Sequence, residues 1–220
     1  MFDKEMTEQV LKGIVWLNEK MGIWSLIIPV FFAGMVISSL VKAYRNPSMV
    51  NNRIVLAVFA VIYVFGGWTI FIGKDFMGTS MAVTGAIGLW LISVLLVMDI
   101  FFKWTEIRVS SSSFIKILSW LLIFSGIFLY PLLEMILGFT YPRMVFIGAE
   151  CPTTITLIGV LIGSVPRVNK VLFALVSINA VFTGGSVALS GAPFDFMYAG
   201  AGVLGLLVLV IYFKPIFGKK

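Results

Sequence analysis

From residue 23 onward the chain repeats one pattern: an apolar run near the bilayer-spanning length of about 20 residues, closed by a short stretch carrying Lys, Arg, Pro or Ser. The runs fall at 23–42, 54–73, 79–102, 114–138, about 146–165, 168–190 and 194–213, which predicts seven transmembrane helices. Pro47 and the SSSS run at 110–113 mark connections, and Pro166 and Pro193 mark breaks around the sixth run. Ahead of these runs, Phe2, Met6, Val10, Ile14 and Leu17 recur at spacings of three or four, with Asp3, Glu5, Glu8, Lys12 and Glu19 mostly elsewhere around the wheel. Residues 1–21 therefore read as an amphipathic helix lying on the membrane surface, and residues 22–220 as a single transmembrane helical domain. The expected fold class is all-α, a polytopic membrane helix bundle.

Composition supports this reading. The chain of 220 residues is 60% hydrophobic and 12% charged, against roughly 45–50% and about 25% in soluble domains. A net charge of +6 raises the question of nucleic acid, but the basic residues sit in short loops between apolar runs. There they act as topology signals and headgroup contacts. The expected partner is the lipid bilayer, not nucleic acid, with a second copy of the chain or a subunit of a membrane complex as further candidates. The N-terminal stretch MFDKEMTEQVLKG is too acidic for a signal peptide, so the first span is expected to direct insertion.

Charge also orients the chain. With seven spans, Lys42, Arg45, Arg53, Lys103, Arg108, Lys116, Arg167, Lys170, Lys214, Lys219 and Lys220 share one side, and fewer basic residues share the other. The positive-inside rule makes the richer side cytoplasmic, with the C-terminus inside and the N-terminus outside the cell's inner membrane. A re-entrant segment at 146–165 would leave six spans, both ends inside and a weaker asymmetry.

Candidate chemistry centres on GAECPTTI at 148–155. Proline is favoured at the first helical position, so Cys151 is expected as the N-cap, Pro152 at the helix start, and Thr153 and Thr154 in the first turn. The 14 residues from Pro152 to Val165 give about 21 Å of helix, short of the roughly 30 Å hydrocarbon core. That helix would start below the outer surface and present its positive end to an outward cavity, as discontinuous transporter helices do. Glu150 either joins that site or fills the helix end itself. Alternatively the helix starts near Met144 and kinks at the proline, with the threonines satisfying freed backbone groups. Glu134, Arg143 and Asp195 are expected near the rim, Glu134 within reach of a pair with Arg143.

Other polar groups are few. Asn179, Thr183 and Ser186 step down one face of the sixth run, and Asp99 lies one turn before Lys103, the spacing of an ion pair. Cys151 with Met77, Met81, Met135, Met144 and Met197 has the composition of a Cu(I) site, although methionine more often fills gaps in cores. Gly200, Gly202 and Gly205 match the dinucleotide fingerprint only as a string, inside an apolar run, and read as helix-packing positions. One cysteine and no histidine exclude an intramolecular disulfide and His-based zinc sites. No nucleophile, base and acid set is recognisable, which argues against an enzyme, and no cofactor is expected. The ligand is left open. The leading reading is a small transporter or permease-like protein with an outward polar cavity at 151–154; the alternative is a non-transporting membrane subunit or scaffold.

YPLLEMILGFTYP at 130–142, GAECPTTITLIGVLI and TGGSVALSGAPFD together resemble a family of small polytopic bacterial membrane proteins, the domain of unknown function 6064. The steps that carry the resemblance are Tyr130 with Pro131, Tyr141 with Pro142, Cys151 to Thr154, and Gly184 with Gly185. It implies a membrane fold and no known biochemistry. Relatives carry histidine before the second Tyr-Pro, where Phe139 and Thr140 stand here, so no histidine-based role is implied for this chain.

Overall fold

The computed structural model describes residues 4–71 and 79–217. Lys74, Asp75, Met77, Lys219 and Lys220 lie outside them. Among the described residues the chain is helical. Lys4–Met21 forms α1, Trp24–Arg45 α2, and Met49–Gly66 α3, which runs into a π-helical turn at Gly67–Phe71. Thr79–Phe102 is α4. Ser113–Phe124 (α5) and Tyr130–Ile136 (α6) form one rod through a π turn at Ser125–Leu129. Glu150–Gly163 is α7. Lys170–Asn179 (α8) and Gly185–Leu189 (α9) are joined by a third π turn at Ala180–Gly184. A 3₁₀ turn at Pro193–Asp195 leads into Phe196–Ile211 (α10), and Phe213–Phe217 (α11) follows.

Six of these rods are long and apolar enough to cross a membrane: Trp24–Arg45, Met49–Ile70, Val83–Phe102, Ser113–Ile136, Lys170–Leu189 and Pro193–Ile211. No more than 50% of any spanning window is buried, and side chains such as Val30, Phe182, Leu189 and Val210 face outward. An apolar exterior of this kind is stable only against lipid or another apolar surface.

The seventh apolar run behaves differently. α7 has 14 residues, about 21 Å, and every residue from Pro152 to Gly163 is buried. It is the central post against which α3, α5, α8 and α10 pack. Close approach depends on small residues: a Cβ at Gly126 would lie 2.4 Å from the Pro152 carbonyl oxygen, and one at Gly159 2.9 Å from the Ser119 carbonyl oxygen. The glycines of α10 divide. A Cβ at Gly202 would come within 2.6 Å of the Ser177 carbonyl oxygen, and Gly205 faces the Ser177 hydroxyl, whereas Gly200 meets open space. The packing reading therefore holds for two of the three.

Internal contacts fix how the chain threads the bundle. Asn18 Nδ2 of α1 donates to the Pro142 and Met144 carbonyls at 2.8 and 2.9 Å, and Tyr141 Oη donates to the Asn18 carbonyl. Segment 141–144 thus lies on the α1 face. At the other end the Glu106 N–H donates to the Arg167 carbonyl at 2.9 Å and the Asn169 N–H to Thr105 Oγ1 at 3.0 Å. The start of α8 therefore sits beside the end of α4, and Arg53 Nε of α3 donates to the Ile100 carbonyl there. The chain changes face between Tyr141 and Arg167. Irregular segment 137–149 and α7 together carry the chain from one end of the bundle to the other, although α7 is too short to be one of the six spanning helices.

Candidate functional site

The start of α7 lies deep in the bundle. Glu150 accepts a hydrogen bond from Asn179 Nδ2 at 2.7 Å and from Tyr198 Oη at 3.2 Å, both on its Oε1. Asn179 is the last of the 10 residues of α8 in a spanning rod of 20. The first turn of α7 is thus halfway down its neighbour, about 15 Å from either end.

The helix begins earlier than the proline rule predicts. Ala149 is the N-cap and Glu150 the first residue, so Cys151 is not the cap and Pro152 stands third. The turn is made at Gly148, where φ is +113°, a conformation glycine adopts without a Cβ penalty. Its N–H is held by Thr153 Oγ1 at 2.9 Å. Proline at the third position is still tolerated, because first-turn N–H groups have no intrahelical acceptor.

Two clusters surround this start. In the first, Asn179 Nδ2 bridges Glu150 and Tyr198 Oη, the latter at 3.0 Å, and Thr183 Oγ1 donates to Asn179 Oδ1 at 3.2 Å. In the second, Tyr130 Oη donates to Asp195 Oδ1, and Cys151 lies beside both. Glu134 is within electrostatic reach of Asp195. Its Oε2 accepts the Val145 N–H at 2.9 Å, while its buried Oε1 has no partner. Unlike the closed Thr153, Thr154 and Asp195, the residues Glu150, Cys151, Asn179 and Thr183 are only partly buried.

The threonines face inward. Thr154 Oγ1 and Tyr63 Oη share a hydrogen bond at 2.7 Å, and Thr156 Oγ1 donates to the Pro152 carbonyl at 2.8 Å. Tyr63, Tyr130 and Tyr198 supply the hydroxyls bonded to Thr154, Asp195 and Glu150 respectively, and none was singled out from the sequence as a site residue. The available signal was a phenol inside an apolar run, where the hydroxyl must find a partner.

Several expected pairings do not form. Arg143 is exposed and lines a cavity with Glu8, Lys12 and Glu19 on the outside of α1, while Glu134 turns to the Val145 backbone. Asp99 does not pair with Lys103. It is fully buried and accepts from both the backbone N–H and Oγ1 of Thr105. Lys103 instead takes a positive φ of 59° and turns the chain out of α4. Of the soft-metal candidates, Met135 is exposed, Met144 is in the core and Met197 packs at its edge. Among the described residues no group of three or more His, Cys, Asp and Glu side chains is placed to hold a metal.

Spanning rods, an apolar exterior and a broken helix with carboxylates at mid-depth define a polytopic helical membrane protein. Within that class, residues 7–217 match the model of a family of unknown function, DUF6064, and the chain belongs to that family. No curated protein and no solved structure matches the chain.

Proposed function

We propose that this protein is a small transporter whose translocated species is a proton or another cation, or is carried together with one, and that Glu150 is the group that binds the charge. The observation that supports this most is Glu150 itself: a half-buried carboxylate at mid-membrane depth whose hydrogen-bond partners, Asn179 and Tyr198, are neutral. Carboxylates inside a membrane are costly and mark ion or proton paths. Broken helices that start at mid-depth recur at the binding sites of secondary transporters. A carboxylate at the first position of α7 sets its charge against the positive helix end, so this helix start favours a cation over the anion that a bare one would select. Cys151, Asn179 and Asp195 line the path on this reading, with Glu134 next to Asp195. The lysine- and arginine-rich face, where α4 ends and α8 starts, is cytoplasmic.

The closed bonds of Thr153 and Thr154 favour the scaffold reading for that half of the motif. Reconstituted protein on a solid-supported membrane separates the two readings. Concentration jumps of protons, alkali cations and small amines should evoke transient currents in at least one case, and Glu150→Gln should abolish them. Absence of current from every jump, with folded protein in the bilayer, would leave the scaffold reading as the better account.

A further inference from the structure

On the opposite face from α1 a second cavity opens, of about 760 Å³. Its wall carries Arg53 from α3, Lys103 beyond α4, and Arg167 and Lys170 at the start of α8. The acidic groups of the wall are Asp99 and Glu106. Asp99 is fully buried with Thr105 on both oxygens, and Glu106 pairs with Arg167. The surplus at the cavity is therefore positive.

Two buried amide atoms in the same wall have no hydrogen-bond partner. Asn169 is 3% exposed; its Oδ1 accepts the Leu172 N–H at 3.1 Å and caps α8, while its Nδ2 lies on the side of Asp99 and makes no hydrogen bond of ordinary geometry. Asn52 Oδ1 likewise accepts from nothing. A buried unpaired amide is costly, and one donor and one acceptor beside a cationic rim describe a ligand that offers both an anionic oxygen and a hydroxyl. The positive end of α8 adds to the attraction for an anion.

We infer that this cavity binds a glycerophosphate group: the phosphate lies against Arg53, Lys103 and Asn169 Nδ2, and a hydroxyl donates to Asn52 Oδ1. Basic pockets between helix ends at a membrane face are suited to phosphate headgroups. The same chemistry is carried by a free glycerol phosphate and by the headgroup of phosphatidylglycerol, and the experiment distinguishes them. Thermal unfolding of the purified full chain is followed in neutral detergent with glycerol phosphate against chloride at matched ionic strength. In parallel it is followed in mixed micelles of phosphatidylglycerol against phosphatidylcholine. Stabilisation by glycerol phosphate identifies the free ligand, and stabilisation confined to phosphatidylglycerol identifies the headgroup. In either case Arg53→Gln with Lys103→Gln should weaken the apparent affinity by about tenfold or more, the scale of a lost charge-assisted bond. Both positions are exposed, and Lys103→Glu alone serves if the double variant does not fold. No stabilisation by either probe, or an equal shift in the variants, overturns the assignment.

Discussion

The bundle buries carboxylates in two ways. At the end of α4, Asp99 has both oxygens occupied by Thr105, whose hydroxyl in turn accepts the Asn169 N–H. The unit ties the turn after α4 to the start of α8. At the start of α7, Glu150 shares one oxygen between two neutral partners and remains half-buried, and Glu134 has an oxygen with no partner. A fully bonded buried carboxylate braces the fold, since each of its bonds is stronger in a low dielectric. An incompletely bonded one costs stability, and such a cost is tolerated where a ligand or proton completes a site.

If this contrast is right, stability effects should rank by how completely each group is bonded. The largest loss is expected for Asp99→Ala, which leaves the Thr105 N–H and hydroxyl without their acceptor. Two hydrogen bonds to a charged group, at about 1.5–3 kcal/mol each, predict a fall of at least about 3 kcal/mol, read by thermal or denaturant unfolding in detergent. A wild-type midpoint in that variant would remove the bracing half of the comparison. Thr154→Val comes next, because it strands the fully buried Tyr63 hydroxyl; about 1–3 kcal/mol is expected, and the companion Tyr63→Phe should recover part of it.

Glu150→Gln sharpens the comparison most, since it keeps an acceptor for Asn179 and Tyr198. Its stability should stay within about 1 kcal/mol of wild type, the net worth of one hydrogen bond, while cation-evoked current disappears. A loss as large as that of Asp99→Ala would make Glu150 a second brace. Smallest of all is Glu134→Gln: the amide oxygen can keep the Val145 N–H while the amide nitrogen takes the place of an oxygen that has no partner. A midpoint close to wild type is expected, and a marked fall would reveal a bond to that oxygen. Independently of stability, the partly buried Cys151 beside Glu150 should react with a small thiol reagent, and saturating the solution with the cation that evokes current should slow that reaction.

Much of this was legible along the chain. Apolar runs located the long helices, the residue pattern of 1–21 foretold a helix there, and the short reach of segment 152–165 foretold a helix that starts inside the bundle. The motif GAECPTTI marked its start to within two residues. The boundary moved because Gly148 makes the turn through its positive φ, and a glycine in an apolar run has no unique conformational meaning. The pairing of Glu134 with Arg143 failed for a different reason: nine positions apart in sequence, they are separated by a segment that Asn18 of α1 holds to the surface, and nothing local encodes that anchor.

What the sequence determined by itself is that this protein is a bundle of long apolar helices, and where those helices lie, because apolar length is a local quantity. Only the tertiary structure decided which polar groups meet. Cys151, Tyr130 and Asp195 come from three different helices, as do Glu150, Asn179 and Tyr198. Their meeting depends on how closely α7 can approach its neighbours at Gly126, Gly148 and Gly159, which is a property of packing between helices and not of any one of them.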